Sequence, residues 1–363
     1  MKIYIFPADT AGCGYYRLIW PAEVLQQRGH DVTIILPKQR DMMLQGKLGT
    51  DGMLKDIRVP ADADVIVFQR VTHRNLAQAI PLIRARGVAV VIDMDDDLTC
   101  IHPANPAFTA LHPRRDNREH SWENTLRACD AATLVTVSTP ALATRYGKKT
   151  HSHVLYNMVP ERMLDVPHND SDVVGWGGSV HSHPTDLQVM GSAVSQLLRA
   201  GGRFKVAGNG EGVNAALGLG KTEEGIEVTG VVDIYAWPLA IGSLGIGVAP
   251  LADSRFNQAK SWLKMAEYAA VGVPCIGSSR DEYVRLHKRG VGLIARNTHE
   301  WVKQIELLRG DECMRRELSE SGRAAMSKLT IEGNAELWLE AWQNALKLQR
   351  SGVTSPFVRA NAR

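Results

Sequence analysis

The chain has 363 residues, 44% of them hydrophobic and 22% charged, with a formal net charge of +3. That length suits two domains better than one core. So small a net charge argues against a nucleic-acid partner or an acidic membrane surface, and no apolar run reaches the length of a membrane span.

Short apolar strands alternate with amphipathic helices. Ile3–Phe6 reads as a strand, Tyr15–Gln27 as a helix closed by Gly29, and Val32–Leu36 as a strand. Val65–Phe68 is a strand, Leu76–Arg86 a helix ending at Gly87, and Val88–Asp93 a strand. A helix over 118–129 precedes strands at Leu134–Val137 and Val154–Tyr156. Such a run of βα units predicts a parallel sheet with helices on both faces. The polar segment Val166–Asp172 reads as a linker, after which the pattern restarts. Val173–Gly175, Phe204–Ala207, Ile226–Val228, Gly245–Ala249, Cys275–Gly277 and Gly292–Ala295 read as strands, with a helix over Thr185–Ala200. A last helix, about Ile331–Leu348, presents Leu337, Trp338, Trp342 and Leu346 as an apolar face in need of a partner.

The expected fold class is therefore α/β: two tandem doubly wound, Rossmann-like domains facing a cleft, with the C-terminal helix crossing back to the first. The expected bounds are 1–167, 168–329, 330–350 for the helix and 351–363 for a flexible tail. Five cysteines are scattered, odd in number and never in a Cys-x-x-Cys pair, which argues against disulfides or structural zinc. Met1–Phe6 enters a strand without a signal-peptide pattern, so the expected location is cytoplasmic.

Ligands of doubly wound sheets sit outside the carboxyl ends of the strands, so the loops leaving strands hold the candidate chemistry. In Pro7–Arg17, Gly12 and Gly14 permit close approach of a phosphate or sugar. A dinucleotide fingerprint wants a small residue where Arg17 stands and an acid where Pro37–Arg40 stands, which counts against NAD. Asp93-Met-Asp-Asp-Asp97 follows a buried strand; its carboxylates suit a divalent metal, sugar hydroxyls, a general base, or simple capping. After the strand at 173, Gly177, Gly178 and Ser179 read as a loop offering backbone amides to an anion. His181 and His183 read as polar loop residues, with no further ligand at metal spacing.

The most telling segment is Pro250–Pro274. At helical spacing Asn257, Lys260, Lys264 and Glu267 share one face, and Leu263, Ala266 and Ala270 another. Two lysines near a helix start suit a diphosphate, and Glu267 suits vicinal hydroxyls. Lys260 and Glu267 would lie ~10 Å apart along a continuous helix, comparable with the span from a diphosphate to the ribose hydroxyls of its nucleoside. A plain solvated face is the competing reading.

Gly175–Ser179, Asn257/Lys260-Ser261/Lys264/Glu267-Tyr268 and Gly272-Val-Pro274 together resemble the donor domain of a GT-B fold glycosyltransferase, similar to the family 4-like retaining group. The Gly12/Gly14 loop, Gly29–Val32, Val137–Thr139 and Asn157 agree with its first domain. This resemblance implies a nucleoside-diphosphate sugar, UDP- or GDP-linked, as co-substrate, with no tightly bound cofactor and no essential metal. It implies an acceptor of unspecified class held by the first domain. Lys260 and Lys264 would neutralise the diphosphate, Glu267 would hold the ribose, and Ser261 and the glycine loops would line the donor site. Asp95 or Asp96 would contact sugar or acceptor. The family's first acidic position falls on Ala259, and the Arg and Lys often found after the first donor-domain strand are missing. A non-catalytic nucleotide-sugar binder and a nucleotide-sugar epimerase are the alternatives.

Overall fold

Parallel strands need long crossover connections, usually helical, to return the chain, and that constraint organises this molecule. The structure is a computed structural model and describes residues 1–112, 120–167, 169–220 and 225–352. Its contacts divide the chain into two units: Met1–Ile101, Phe108–Asn157 and Asn334–Arg363, and His102–Ala107 with Met158–Gly333. The expected tail lies, from residue 353 on, outside the described residues.

The strands of the first unit are β1 (Ile3–Phe6), β2 (Val32–Ile34), β3 (Gln45–Leu48), β4 (Leu54–Arg58), β5 (Val65–Gln69), β6 (Ala89–Met94), β7 (Leu134–Val137) and β8 (His151–Val154). Among the described residues, six of them form a parallel sheet in the order β2-β1-β5-β6-β7-β8. Strands β5 and β6 are buried throughout, as continuous Val/Ile runs require when helices cover both faces. The β3–β4 pair is an antiparallel hairpin that the sequence reading passed over, because β3 is exposed along its length and alternates weakly. Strand β8 lies at His151–Val154 rather than at Val154–Tyr156: its register with β7 pairs Leu134 with His151. The expected helix from Tyr15 opens as a π-helical turn, Tyr15–Ile19, before the α-helix Trp20–Gln27. The last helix is two pieces, Ile331–Asn334 and Glu336–Ser351. Trp338 and Trp342 are fully buried in the first unit, whereas Leu337 is exposed and not part of the apolar face. The Trp338 indole donates to the Arg17 carbonyl at 2.7 Å, fixing that helix to the segment after β1.

In the second unit, β9 (Val174–Ser179), β10 (Phe204–Asn209), β11 (Ile226–Val228), β12 (Ile246–Ala249), β13 (Cys275–Ser278) and β14 (Leu293–Ala295) form a parallel sheet, among the described residues, in the order β11-β10-β9-β12-β13-β14. This is a doubly wound order whose reversal falls between β9 and β12. Trp176, Phe204, Val206, Val248, Ile276 and Trp301 pack together in its core. The expected helix 185–200 is interrupted at Gly191 (φ 56°), leaving a 3-10 turn Leu187–Met190 and a helix Ala193–Arg199. The segment read as a linker is held within this unit. The Asn169 side chain donates to the Ser243 carbonyl at 3.0 Å, Arg309 pairs with Asp172 at 3.2 Å, and Arg323 donates to the Val166 carbonyl.

Candidate functional site

The sequence candidates fall into two sets, one in each unit. In the second unit they gather where the strand order reverses. Gly177, Gly178 and Ser179 are not a loop: they continue β9, registered with Ala207, Gly208 and Asn209 of β10. The Gly177 amide is already taken, donating to the Tyr268 hydroxyl at 2.7 Å. Gly178 sits at φ 150° with the Trp176 ring 3.0 Å from where a Cβ would stand, so that position admits no side chain without strain.

The 250–274 segment departs from the single helix that its spacing predicts. Ser254 caps a short turn, Arg255–Gln258, by accepting from the Asn257 amide at 3.2 Å. The chain then leaves helical geometry through 259–262 and re-enters at Leu263–Ala270, where the Ser261 hydroxyl accepts from the Leu263 amide at 3.4 Å. Lys260 and Glu267 therefore do not share one helical stripe, and the 10 Å axial separation does not apply. Helix Leu263–Ala270 buries Met265, Ala266, Tyr268, Ala269 and Ala270, while Leu263 is only half-buried and is not the core residue its spacing implied.

Lys264 and Glu267 do come together with β9. The Lys264 ammonium donates to the Gly177 carbonyl and lies 4.9 Å from the centre of the Trp176 ring. Burial pulls it down to about 8; Glu267 opposes that shift and Lys260 adds to it. Glu267 is buried, and its Oε1 accepts from the Trp237 indole at 3.0 Å. Lys260 stacks its ammonium 4.5 Å from the centre of the Phe256 ring. Asn257 turns inward instead, donating to Asp186 Oδ1 at 2.6 Å.

Two members of this cluster, Asp186 and Trp237, had no role in the sequence reading, and His183 stood there only as a polar loop residue. Asp186 and His183 form a hydrogen-bonded pair at 2.7 Å, and the His-x-x-Asp spacing was the available signal. Trp237 carried no signal, since it arrives from a separate helix, Trp237–Gly242.

In the first unit, Gly14 is a true close approach: a Cβ there would stand 2.0 Å from the Asp9 carbonyl oxygen, whereas Gly12 faces open space. The Gly14 amide donates to the Asp9 side chain at 3.0 Å, so it is not free for a phosphate. The aspartate run is divided among arginines. Asp93 is fully buried and bidentate with Arg17, at 3.0 and 2.8 Å, and accepts from Thr136 at 2.7 Å. Arg70 grips Asp95 at 2.5 and 2.6 Å and reaches Asp96 and the Cys13 sulfur, each at 3.1 Å. Burial would raise the Asp95 carboxyl, but Arg70 outweighs it and holds it below the usual range. Arg70 has φ 49°, a left-handed backbone that a non-glycine residue adopts only when its surroundings enforce it. Asp97 accepts from the Thr99 hydroxyl at 2.5 Å and pairs with Arg145 at 3.6 Å. Among the described residues no group of three or more His, Cys, Asp or Glu is placed to hold a metal ion.

No family model and no curated protein sequence matches the chain. Solved structures do. The HepE protein of Anabaena in complex with UDP aligns at a TM-score of 0.62 and 15% identity, over 95% of this chain and 100% of that one. Sucrose-phosphate synthase of Thermosynechococcus elongatus aligns at 0.60 and 12%, over 96% and 100%. A glycosyltransferase of Rickettsia africae aligns at 0.57 and 14%, over 95% and 98%. Identities this low carry the fold alone. The chain has the GT-B fold, two Rossmann-like parallel-sheet domains in one polypeptide.

Proposed function

We propose that this protein is a glycosyltransferase that moves a sugar from a UDP- or GDP-linked donor to an acceptor, with retention at the anomeric carbon. The observation that carries the reading is the cluster of Lys264, Glu267 and Trp237 on the Gly177–Gly178 backbone, at the reversal point of the second sheet. It supplies cationic charge for a diphosphate and a buried, oriented carboxylate for ribose hydroxyls. HepE, which shares the fold, is solved with UDP and with UDP and glucose.

In this reading Lys260 and Lys264 neutralise the departing diphosphate, where developing negative charge most needs it. Glu267 fixes the nucleoside, and Asp95 or Asp96, oriented by Arg70, contacts sugar or acceptor. Front-face departure, with the leaving phosphate accepting the proton of the attacking hydroxyl, needs no protein nucleophile. The first unit holds the acceptor. Its cavity of about 680 Å³ sets Arg40, Asp41 and Arg74 beside Leu44, Leu48 and Leu54, a lining suited to an acceptor with apolar and polar parts. All five cysteines are free thiols, in keeping with a reducing cytoplasm.

A second reading, donor binding without turnover, draws on Ala259, a buried alanine where the resembled family has an acid. One panel separates the two. A donor at about 100 times its dissociation constant adds about 2.7 kcal/mol of stability, which raises the melting temperature. Stabilisation by a nucleotide sugar together with a glycosylated product supports transfer. Stabilisation without product supports binding alone, and no response to any nucleotide sugar overturns both.

A further inference from the structure

One ionisable group in this cluster has no role in the chemistry above. His183 lies just past β9, its ring edge-on to the buried Trp176 with centroids 5.6 Å apart. Its partner Asp186 is almost fully buried and locked in place: Oδ1 accepts from the Ala252 amide at 2.9 Å and from Asn257 at 2.6 Å, leaving Oδ2 for the imidazole at 2.7 Å. An ionised carboxylate only accepts, so Nδ1 of His183 carries the hydrogen and the neutral ring shows Nε2 as a bare lone pair. Nε2 has no hydrogen-bond partner among the described residues.

A lone pair repels a phosphate oxygen; an N–H attracts it. The charged groups facing the ring are Asp186 from its own loop, Lys264 from helix Leu263–Ala270 and Lys260 from the segment before that helix. Burial holds His183 below the ordinary imidazole value, Asp186 offsets part of this, and the two lysines add to the fall. An arriving diphosphate reverses that balance, since it cancels the lysines' repulsion and adds an acceptor in front of Nε2.

We propose that His183 takes up a proton from solvent when the donor diphosphate binds, and that its Nε2–H then donates to a phosphate oxygen beside Lys260 and Lys264. Asp186 is the positioning residue, fixing the ring and stabilising the imidazolium. The proton returns to solvent when the nucleoside diphosphate leaves. This inference rests on the reading of the cluster as a diphosphate site.

The test is calorimetric titration of UDP-glucose and of GDP-mannose into the full-length protein at pH 7.0, in PIPES, HEPES and imidazole buffers. The dependence of binding enthalpy on buffer ionisation enthalpy counts the protons taken up, and these diphosphate diesters bring none that titrate near neutrality. Lys264, with its value of about 8, can contribute only about a tenth of a proton at this pH. The expected result is uptake of more than half a proton by the wild type, falling to about a tenth in His183→Gln and intermediate in Asp186→Asn. Binding with uptake of a tenth or less in the wild type, or equal uptake in a folded His183→Gln, overturns the inference and leaves the donor site standing. No binding of either nucleotide sugar overturns the donor site and the inference with it. The wild-type count decides the matter even where a variant fails to fold.

Discussion

The Trp237 indole donates to Glu267 Oε1 at 3.0 Å, joining two helices that the sequence separates by thirty residues. A buried carboxylate held in this way is oriented before any ligand arrives. Glu267→Ala is therefore expected to weaken nucleoside-diphosphate binding and leave the fold nearly intact. A charge-assisted hydrogen bond to ribose hydroxyls is worth about 1.5–3 kcal/mol, which is about ten- to a hundred-fold in affinity. Met265→Ala should do the reverse. Met265 is fully buried on the same helix, and its sulfur would lie 2.4 Å from a Cβ at Gly277; truncation costs about 2–5 kcal/mol of stability. Titration calorimetry paired with thermal melts reads both.

Donor affinity is expected to fall as pH rises through about 8, because Lys264 loses its proton there. Above that point each pH unit weakens diphosphate binding by up to about ten-fold. The stability effect has the opposite sign. Lys264 is depressed in the fold from 10.5, so between about pH 8 and 10.5 the unfolded chain holds more protons and this group's contribution to stability rises with pH. Lys264→Met should flatten the affinity profile above pH 8 in a fluorescence titration; an unchanged profile would assign the dependence elsewhere.

Arg17→Met is expected to destabilise the first unit severely. It strands Asp93, a fully buried carboxylate, and removes the donors to Asn157 at 2.9 Å and to the Leu155 carbonyl. Breaking one partner of a buried pair costs about 3–5 kcal/mol. Arg17→Met combined with Asp93→Leu should recover much of the loss, because no lone charge is left behind. Urea denaturation of the three proteins gives the comparison.

The parallel-sheet architecture was legible because the apolar runs are continuous and glycines close the helices: Ile3–Phe6, Leu134–Val137 and Ile226–Val228 fall where the sequence places them. The site was legible in residue type but less so in geometry. Lys260, Lys264 and Glu267 fit a helical period, yet the chain breaks at 259–262, where backbone bonds from Ala259 to Phe256 and Lys260 to Asn257 end the first turn. Periodicity cannot detect such a break, because neither glycine nor proline marks it. The Gly177–Ser179 run looked like a loop because glycine is rare in strands. It is a strand because it pairs in register with β10, and the Trp237 ring at Gly177 and the Lys264 ammonium at Gly178 crowd the places where side chains would stand. Arg70 and Arg17 were invisible as partners of the aspartate run, since each pairing closes over more than twenty residues of sequence.

Chelation of divalent ions is expected to leave activity largely intact. The Arg70 guanidinium already occupies the place beside Asp95 and Asp96 that a cation would take. Turnover abolished by a chelator and restored by magnesium or manganese would contradict this assignment.

The central claim is that the second unit binds a nucleoside-diphosphate sugar through the carboxyl end of β9 and the Lys260–Glu267 segment. Hydrogen–deuterium exchange with and without a UDP- or GDP-sugar, at a concentration near its wild-type dissociation constant, tests it most directly. Exchange should slow in peptides covering residues 176–186 and 255–270, and Glu267→Ala should lose most of that protection at the same ligand concentration. Protection confined to other segments, or equal protection in Glu267→Ala, would contradict it.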